Sequence, residues 1–224
     1  LAEEHRDGSL RFCCLRHLAN GNIEYALPPS LEQFFAIYLQ LSPHLKQIEI
    51  GEQGKISLTV SSLNREQIEC YQRIGIEKLT VHSLFDAACA QGFQSITSLT
   101  LAIPHSKIEP QLISSLIRQN SSLRTLKIGY GSLDDNAMQA LSRSLSHLTS
   151  LALLTVGFSQ QAMQTLANGL KSNQSLAFLQ MSHGTLDDTK FQCLSQALKH
   201  NTALKMLCIN DNRLNPELVN SSSK

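Results

Sequence analysis

Leu204-Lys205-Met206-Leu207-Cys208-Ile209-Asn210-Asp211-Asn212-Arg213-Leu214 decides the fold, because its aliphatic residues stand at 204, 207, 209 and 214. The same L-x-x-L-x-[LIVM] spacing begins at Leu123, Leu151 and Leu176, so successive starts lie 28, 25 and 28 residues apart. Alternating apolar and polar positions over so short a stretch predict a strand with one buried face. A fixed period of this size signals stacked supersecondary units. Stacked units build a broad surface rather than a pocket, which favours binding over chemistry.

Between the strands the chain reads as turn and helix. After the strand from Leu123 come Gly129-Tyr130-Gly131-Ser132 and then Leu133-Asp134-Asp135, one Asp of which is suited to capping a helix. That helix carries Met138, Leu141, Leu145 and Leu148 at helical spacing. Leu186-Asp187-Asp188 precedes a second copy with Phe191, Leu194 and Leu198. The repeat from Leu151 reads as three residues short for want of a Leu-Asp-Asp counterpart, with a helix from about Ser159 that keeps Met163, Leu166 and Leu170. Asn120, Asn173 and Asn201 each stand three residues before a strand's first leucine, a polar exit from the helix.

Toward the N-terminus Ile96-x-x-Leu99-x-Leu101, Ile76-x-x-Leu79-x-Val81 and Leu45-x-x-Ile48-x-Ile50 continue the strands, with Ile56–Val60 pairing beside the last. A helix over about 109–118 carries Leu112, Ile113, Leu116 and Ile117. Residues 1–44 do not fit the repeat and are expected to form an irregular cap of hairpin plus helix; 45–224 form the repeats, most regular over 96–214. With no capping helix after Leu214, the array reads as truncated or frayed there.

Composition narrows the function. At 42% hydrophobic and 17% charged residues the chain has enough apolar side chains for a core, and with no Trp that core must be aliphatic. A net charge of +1 gives no sign of nucleic acid or an anionic membrane as partner. No apolar run is long enough to span a bilayer. No leader is visible, although the chain starts at Leu1 rather than Met. The cysteines, at 13, 14, 70, 89, 193 and 208, lack C-x-x-C or disulfide spacing and read as reduced thiols of a cytoplasmic protein.

Candidate catalytic and ligand-binding motifs dissolve on inspection. Gly51-Glu52-Gln53-Gly54-Lys55 resembles a phosphate loop, but Glu49 and Ile56 stand where Gly and Ser or Thr are needed. No H-E-x-x-H suggests zinc, and there is no G-x-S-x-G. Asp134-Asp135 and Asp187-Asp188 recur at one repeat position, which argues for capping rather than paired acids. Cys193 takes the place of Ala140 as a packed thiol, and Cys208 falls on an outward-facing strand position. The expectation is therefore a non-enzymatic chain with no cofactor and no metal.

The fragment Leu204 to Leu214 resembles leucine-rich repeats of the ribonuclease-inhibitor subtype, matching L-x-x-L-x-L-x-x-N-x-L in full. Asp134–Leu141 and Gln161–Ala167 are similar to that family's alanine-leucine helices, as in NOD-like receptors and bacterial GALA-type effectors. The turn Asn is present only as Asn212; Gly131, Gly184 and Pro104 stand in its place elsewhere. The resemblance implies an α/β leucine-rich-repeat solenoid, a right-handed horseshoe with a parallel sheet on its concave face and helices on its convex face. Geometry gives the same curvature, since strands pack about 4.8 Å apart and helices about 10 Å. The family's concave sheet binds proteins.

On this register the outward column reads Gln47, Lys78, Ser98, Thr125, Leu153, Phe178, Met206. Leu153, Phe178 and Met206 would form an apolar patch, extended by Tyr130 and Phe158 and rimmed by Arg124, Lys127 and Lys205 for an acidic protein partner. The resemblance to GALA-type repeats further implies a virulence effector delivered into the cytosol of a host cell. Alternatives are a cytosolic regulator or inhibitor of the ribonuclease-inhibitor type, and a ubiquitin-ligase subunit. The last rests on Leu27-Pro28-x-x-Leu31 with Phe35, Tyr38 and Leu39, similar to the first helix of an F-box.

Overall fold

The structure is a computed structural model. It describes residues 57–60, 76–83, 87, 95–183 and 185–215 with side chains, and strands at 2–4, 10–12, 15–17, 23–25, 45–50 and 56–60 by backbone. The F-box-like stretch from Leu27 to Leu39, the phosphate-loop-like segment, and Cys13, Cys14, Cys70 and Cys89 lie outside the residues so described.

Two short antiparallel hairpins come first, β1 (Ala2–Glu4) with β2 (Leu10–Phe12) and β3 (Leu15–His17) with β4 (Ile23–Tyr25). The main sheet has 8 strands laid side by side in chain order. They are β5 (Leu45–Ile50), β6 (Ile56–Val60), β7 (Ile76–Val81), β8 (Ser98–Ala102), β9 (Thr125–Gly129), β10 (Ser150–Leu154), β11 (Phe178–Ser182) and β12 (Met206–Cys208). β5 runs antiparallel to β6, and all later neighbours are parallel. Four helices join the later strands: α1 (Pro110–Gln119), α2 (Asp135–Ser144), α3 (Gln160–Ser172) and α4 (Asp188–Leu198). Each helix packs on the next, so strands form one layer and helices the other. This is an α/β leucine-rich-repeat solenoid.

The core between the layers is aliphatic. Leu58, Leu79, Leu99, Leu126, Leu151 and Leu179 form one buried row across the sheet, and Val60, Val81, Leu101, Ile128, Leu153 and Met181 form a second. Ile113, Leu116 and Ile117 of α1, Met138 and Leu141 of α2, Met163, Leu166 and Leu170 of α3, and Leu194 of α4 close the core from the helical side. Gly169 of α3 lets α2 approach, since a Cβ there would lie 2.1 Å from Ser142 Oγ. The Ser142 hydroxyl donates to the Thr165 carbonyl across that contact at 3.1 Å.

The rungs correct the expected register at one place. Leu151, not Leu154, lies beside Leu126 and Leu179, and Leu153 lies beside Ile128 and Met181. The repeat motif there is Leu148-x-x-Leu151-x-Leu153, so starts at Leu123, Leu148, Leu176 and Leu204 are 25, 28 and 28 residues apart. The short repeat is the one from Leu123, and the loss is in its helix: α2 has 10 residues against 13 in α3. The repeat from Leu148 does have a counterpart of Leu-Asp-Asp, namely Phe158-Ser159-Gln160.

The turns after the strands repeat a backbone device. His105, Tyr130, Thr155, His183 and Asp211 all have positive φ, between 56° and 64°. In that conformation the Tyr130, Thr155 and His183 N–H groups donate to the Leu154, Ser182 and Asn210 carbonyls of the next rung. Asn212 fastens its turn as the resemblance implies. Its amide donates to the Met181 and Ile209 carbonyls at 2.6 and 2.8 Å, and its Oδ1 accepts from the Leu186 N–H at 2.9 Å. In the first of these turns the left-handed residue is His105, which puts Ser106 rather than Pro104 in the place of that Asn.

The paired aspartates divide their labour. Asp134 and Asp187 cap α2 and α4, accepting from the Ala137 and Lys190 N–H groups at 2.8 and 2.9 Å. Their neighbours reach the following repeat: Asp135 accepts from the Ser159 hydroxyl, and Asp188 accepts from the Asn215 N–H at 2.9 Å. Ser159 itself caps α3. The helix-exit asparagines Asn173 and Asn201 accept from the N–H groups of Leu176 and Leu204, both at 2.7 Å.

Candidate functional site

Strand alternation sends one residue of each pair into the core and the other to the open face of the sheet. The register makes two outward columns. The first reads Ser57, Lys78, Ser98, Thr125, Ser150, Phe178, Met206. The second reads Thr59, Thr80, Thr100, Lys127, Ala152, Gln180, Cys208. The face therefore changes character along the array, with hydroxyls and lysines over β6 to β9 and a more apolar surface over β11 and β12.

Phe178 and Met206 stand on adjacent rungs, as expected. Met206 is 56% exposed and Phe178 is half-buried, so the two form an apolar surface open to solvent. Exposed Lys205 flanks them. Gln180 and Cys208 complete the second column beside them, both half-buried.

Other expected members of the patch stand elsewhere. Leu153 is fully buried at 0% exposure, because the one-step shift in register puts Ser150 at the outward position. Gln47 likewise leaves the first column, since β5 is antiparallel and sets it beside Thr59. Phe158 occupies the core-facing place that Leu133 and Leu186 take in the neighbouring turns. Its half-buried ring packs on the core, with the Lys190 ammonium 5.0 Å from the ring centroid. Tyr130 is 59% exposed but sits in the turn beyond β9. At about 3.3 Å per residue along a strand and 4.8 Å between strands, it lies roughly 19 Å from Phe178. Arg124 is exposed, but its guanidinium turns back to donate to the Ser121 and Leu123 carbonyls at 2.8 and 2.9 Å. Lys127 stands in the second column on β9, away from the apolar pair.

Lys127 instead joins a feature the sequence reading passed over. It lines a shallow depression of about 190 Å³ with Lys78, Ser57, Thr59, Thr80, Ser98 and Thr100. The signal lay in the fifth position of the repeat: Leu58-Thr59-Val60, Leu79-Thr80-Val81 and Leu99-Thr100-Leu101 set threonines side by side. β-Branched threonine suits a strand, and its hydroxyl faces outward. On the helical side, a wider open groove of about 710 Å³ runs between α1 and α2, past Arg118 and Arg143.

The thiols belong to different layers. Cys193 lies between α3 and α4, where it accepts from Gln160 Nε2 at 3.1 Å and donates to Gln164 Oε1 at 3.3 Å. Cys208 is half-buried on the open face.

No family model matches the sequence, and no curated protein matches it. Among solved structures the chain is similar to the leucine-rich-repeat ectodomain of the receptor kinase SOBIR1 from Arabidopsis thaliana. The TM-score is 0.27 at 15% identity, covering 84% of this chain and 96% of that one. So low a score carries no argument, and the repeat fold rests on the strand register and the helix layer described above.

Proposed function

We propose that this chain is a non-enzymatic interaction module that takes a protein partner on the open face of its parallel sheet, anchored at Phe178 and Met206. The observation that carries this reading is their adjacency: a large apolar pair left open to solvent on a sheet whose core-facing leucines from β6 to β11 are buried in rows. Large apolar side chains gathered at one exposed place mark interaction sites, and Met and aromatic residues are enriched at interface centres. Lys205 beside the pair supplies a charged rim that favours an acidic partner.

The ribonuclease-inhibitor subtype belongs to the same proposal. It is supported by the α-helix in every repeat from β8 to β12 and by the fastening of Asn212. A role as an effector in host cytosol rests on the likeness to GALA-type repeats alone.

Affinity capture with cross-linking mass spectrometry tests the anchor. Phe178→Asp leaves the circular dichroism spectrum unchanged, since the side chain is not in the core, and removes the partner that the native chain captures. The same partner recovered in equal yield by Phe178→Asp and Met206→Asp would remove the apolar pair from the interface.

A further inference from the structure

The depression over β6 to β9 lies three to four strands from the apolar pair and is chemically unlike it. The geometry points to a subsite for a tetrahedral oxyanion there, filled by a phosphorylated side chain on the same extended segment whose apolar residue rests on Phe178 and Met206. This inference rests on the partner-binding reading for its occupant, and on its own residues for its chemistry.

Charge comes first. Lys78 and Lys127 are both exposed, and among the described residues no carboxylate lines the depression; Glu49 of β5 stands beside Ser57, two strands from Lys78. Among the described residues neither lysine meets a carboxylate within ion-pair distance. The carboxylate next in sequence, Glu77, turns to the hydroxyl of Thr97, which donates to it at 3.3 Å. The lysines stand two rungs and two residues apart, about 12 Å between Cα atoms at ordinary strand spacing. Lysine's long, flexible stem lets both ammonium groups reach an anion placed between them.

Donor chemistry selects the anion. The floor carries the hydroxyls of Thr59, Thr80, Ser98 and Thr100. A phosphomonoester offers three acceptor oxygens and close to two negative charges, enough to accept from both lysines and several hydroxyls together. A carboxylate is planar and is best matched by the fork of an arginine, and among the described residues no arginine lines the depression. Size agrees: about 190 Å³ is below the roughly 300 Å³ at which pockets for whole small molecules begin, so the space suits a group on a chain.

Spacing joins the two subsites. The centre of the depression lies on β8, and the apolar pair spans β11 and β12. Three and a half rungs at about 4.8 Å come to roughly 17 Å, which an extended peptide covers in about five residues. The ligand is therefore an extended segment with a phosphorylated residue and a large apolar residue about five positions apart.

The test uses the full chain immobilised against two degenerate peptide libraries, identical except for a central phosphothreonine or threonine. The expected result is at least tenfold greater retention of the phosphorylated library, with large apolar residues selected about five positions away. Lys78→Gln with Lys127→Gln removes the preference for phosphate and leaves the apolar selection. Phe178→Asp removes the apolar selection and leaves the preference for phosphate. Equal retention of both libraries by the native chain overturns the oxyanion subsite; if apolar selection persists, the partner-binding reading survives that loss. A phosphate preference that the lysine variants leave intact also overturns it, as does equal selection of an aspartate-centred library.

Discussion

Two neighbouring repeats close onto the next strand in different ways. The repeat from Leu148 leaves α3 through Asn173, whose Oδ1 accepts from the N–H groups of Ser175 and Leu176 at 3.0 and 2.7 Å. The repeat from Leu123 has Leu145 at the corresponding corner, and there the chain turns through a 3-10 segment, Leu145–His147. Leu145 is buried among the core leucines. A polar corner is thus replaced by an apolar one, and the hydroxyl of Ser175 in the next repeat compensates by donating to the Leu145 carbonyl at 3.0 Å. The lesson is that the strand rungs hold their register while the helix side absorbs a change in repeat length.

That comparison breaks most sharply at the shifted strand. Leu153→Ala removes a wholly buried side chain and is expected to cost about 2–5 kcal/mol in urea unfolding. Leu154→Ala, one residue on and only half-buried, is expected to cost clearly less. A reversed order would restore the register in which Leu154 is the rung residue. Next comes the corner itself. Asn173→Ala strands two backbone N–H groups and is expected to cost about 1–3 kcal/mol. Asn201→Ala, which also loses donation to the Leu170 carbonyl at 2.6 Å, should cost at least as much. Asn120→Ala should cost less than either, because it loses one donation, to the Leu116 carbonyl at 2.7 Å, while the Asn120 Oδ1 has no hydrogen-bond partner among the described residues. A smaller effect, of opposite sign, is expected at the turn. Thr155 is β-branched and held at φ 56°, whereas asparagine tolerates that region. Thr155→Asn should raise the stability by about 1 kcal/mol, read as a higher urea midpoint at an unchanged slope.

These same places show what the sequence could carry. The repeats were legible because the leucine spacing and the buried rows are one fact seen twice. The stretch Leu148-Thr149-Ser150-Leu151-Ala152-Leu153-Leu154-Thr155-Val156 fits the strand motif in two registers, from Leu148 or from Leu151. Neither register has the corner Asn that marks other repeats, so periodicity alone could not choose. The helix caps could have chosen. Asp134 and Asp187 lie 8 residues beyond Leu126 and Leu179, and Ser159 lies 8 beyond Leu151 but 5 beyond Leu154. With that interval fixed, Ser150 faces outward, Leu153 goes inward and Phe158 becomes a core residue. The placement of Phe178 and Met206 on adjacent rungs was legible because they lie in repeats whose corners are marked by Asn173 and Asn201. The lysine and hydroxyl depression is not legible in a single outward column, because it joins residues of both across β6 to β9.

The capping residues offer a comparison that pH alone can sharpen. Asp134 is held below the usual carboxylate range, first by the Ala137 N–H and then by Lys107, whose ammonium lies 2.9 Å away. Asp187 is lowered too, first by the Thr189 hydroxyl and then by the Lys190 N–H. A carboxylate with a folded pKa below its unfolded value adds stability that is fully present above the unfolded value, near 3.9. That contribution is lost as pH falls through the folded value. α3 has the uncharged cap Ser159. Asp134→Ser and Asp187→Ser keep a capping oxygen at α2 and α4 but remove the titration. The double variant should therefore show a flatter loss of stability as pH falls below about 4 in urea midpoints, with native helix content at neutral pH. An acid limb as steep as that of the native chain would place the acid sensitivity in other carboxylates and leave the two kinds of cap equivalent.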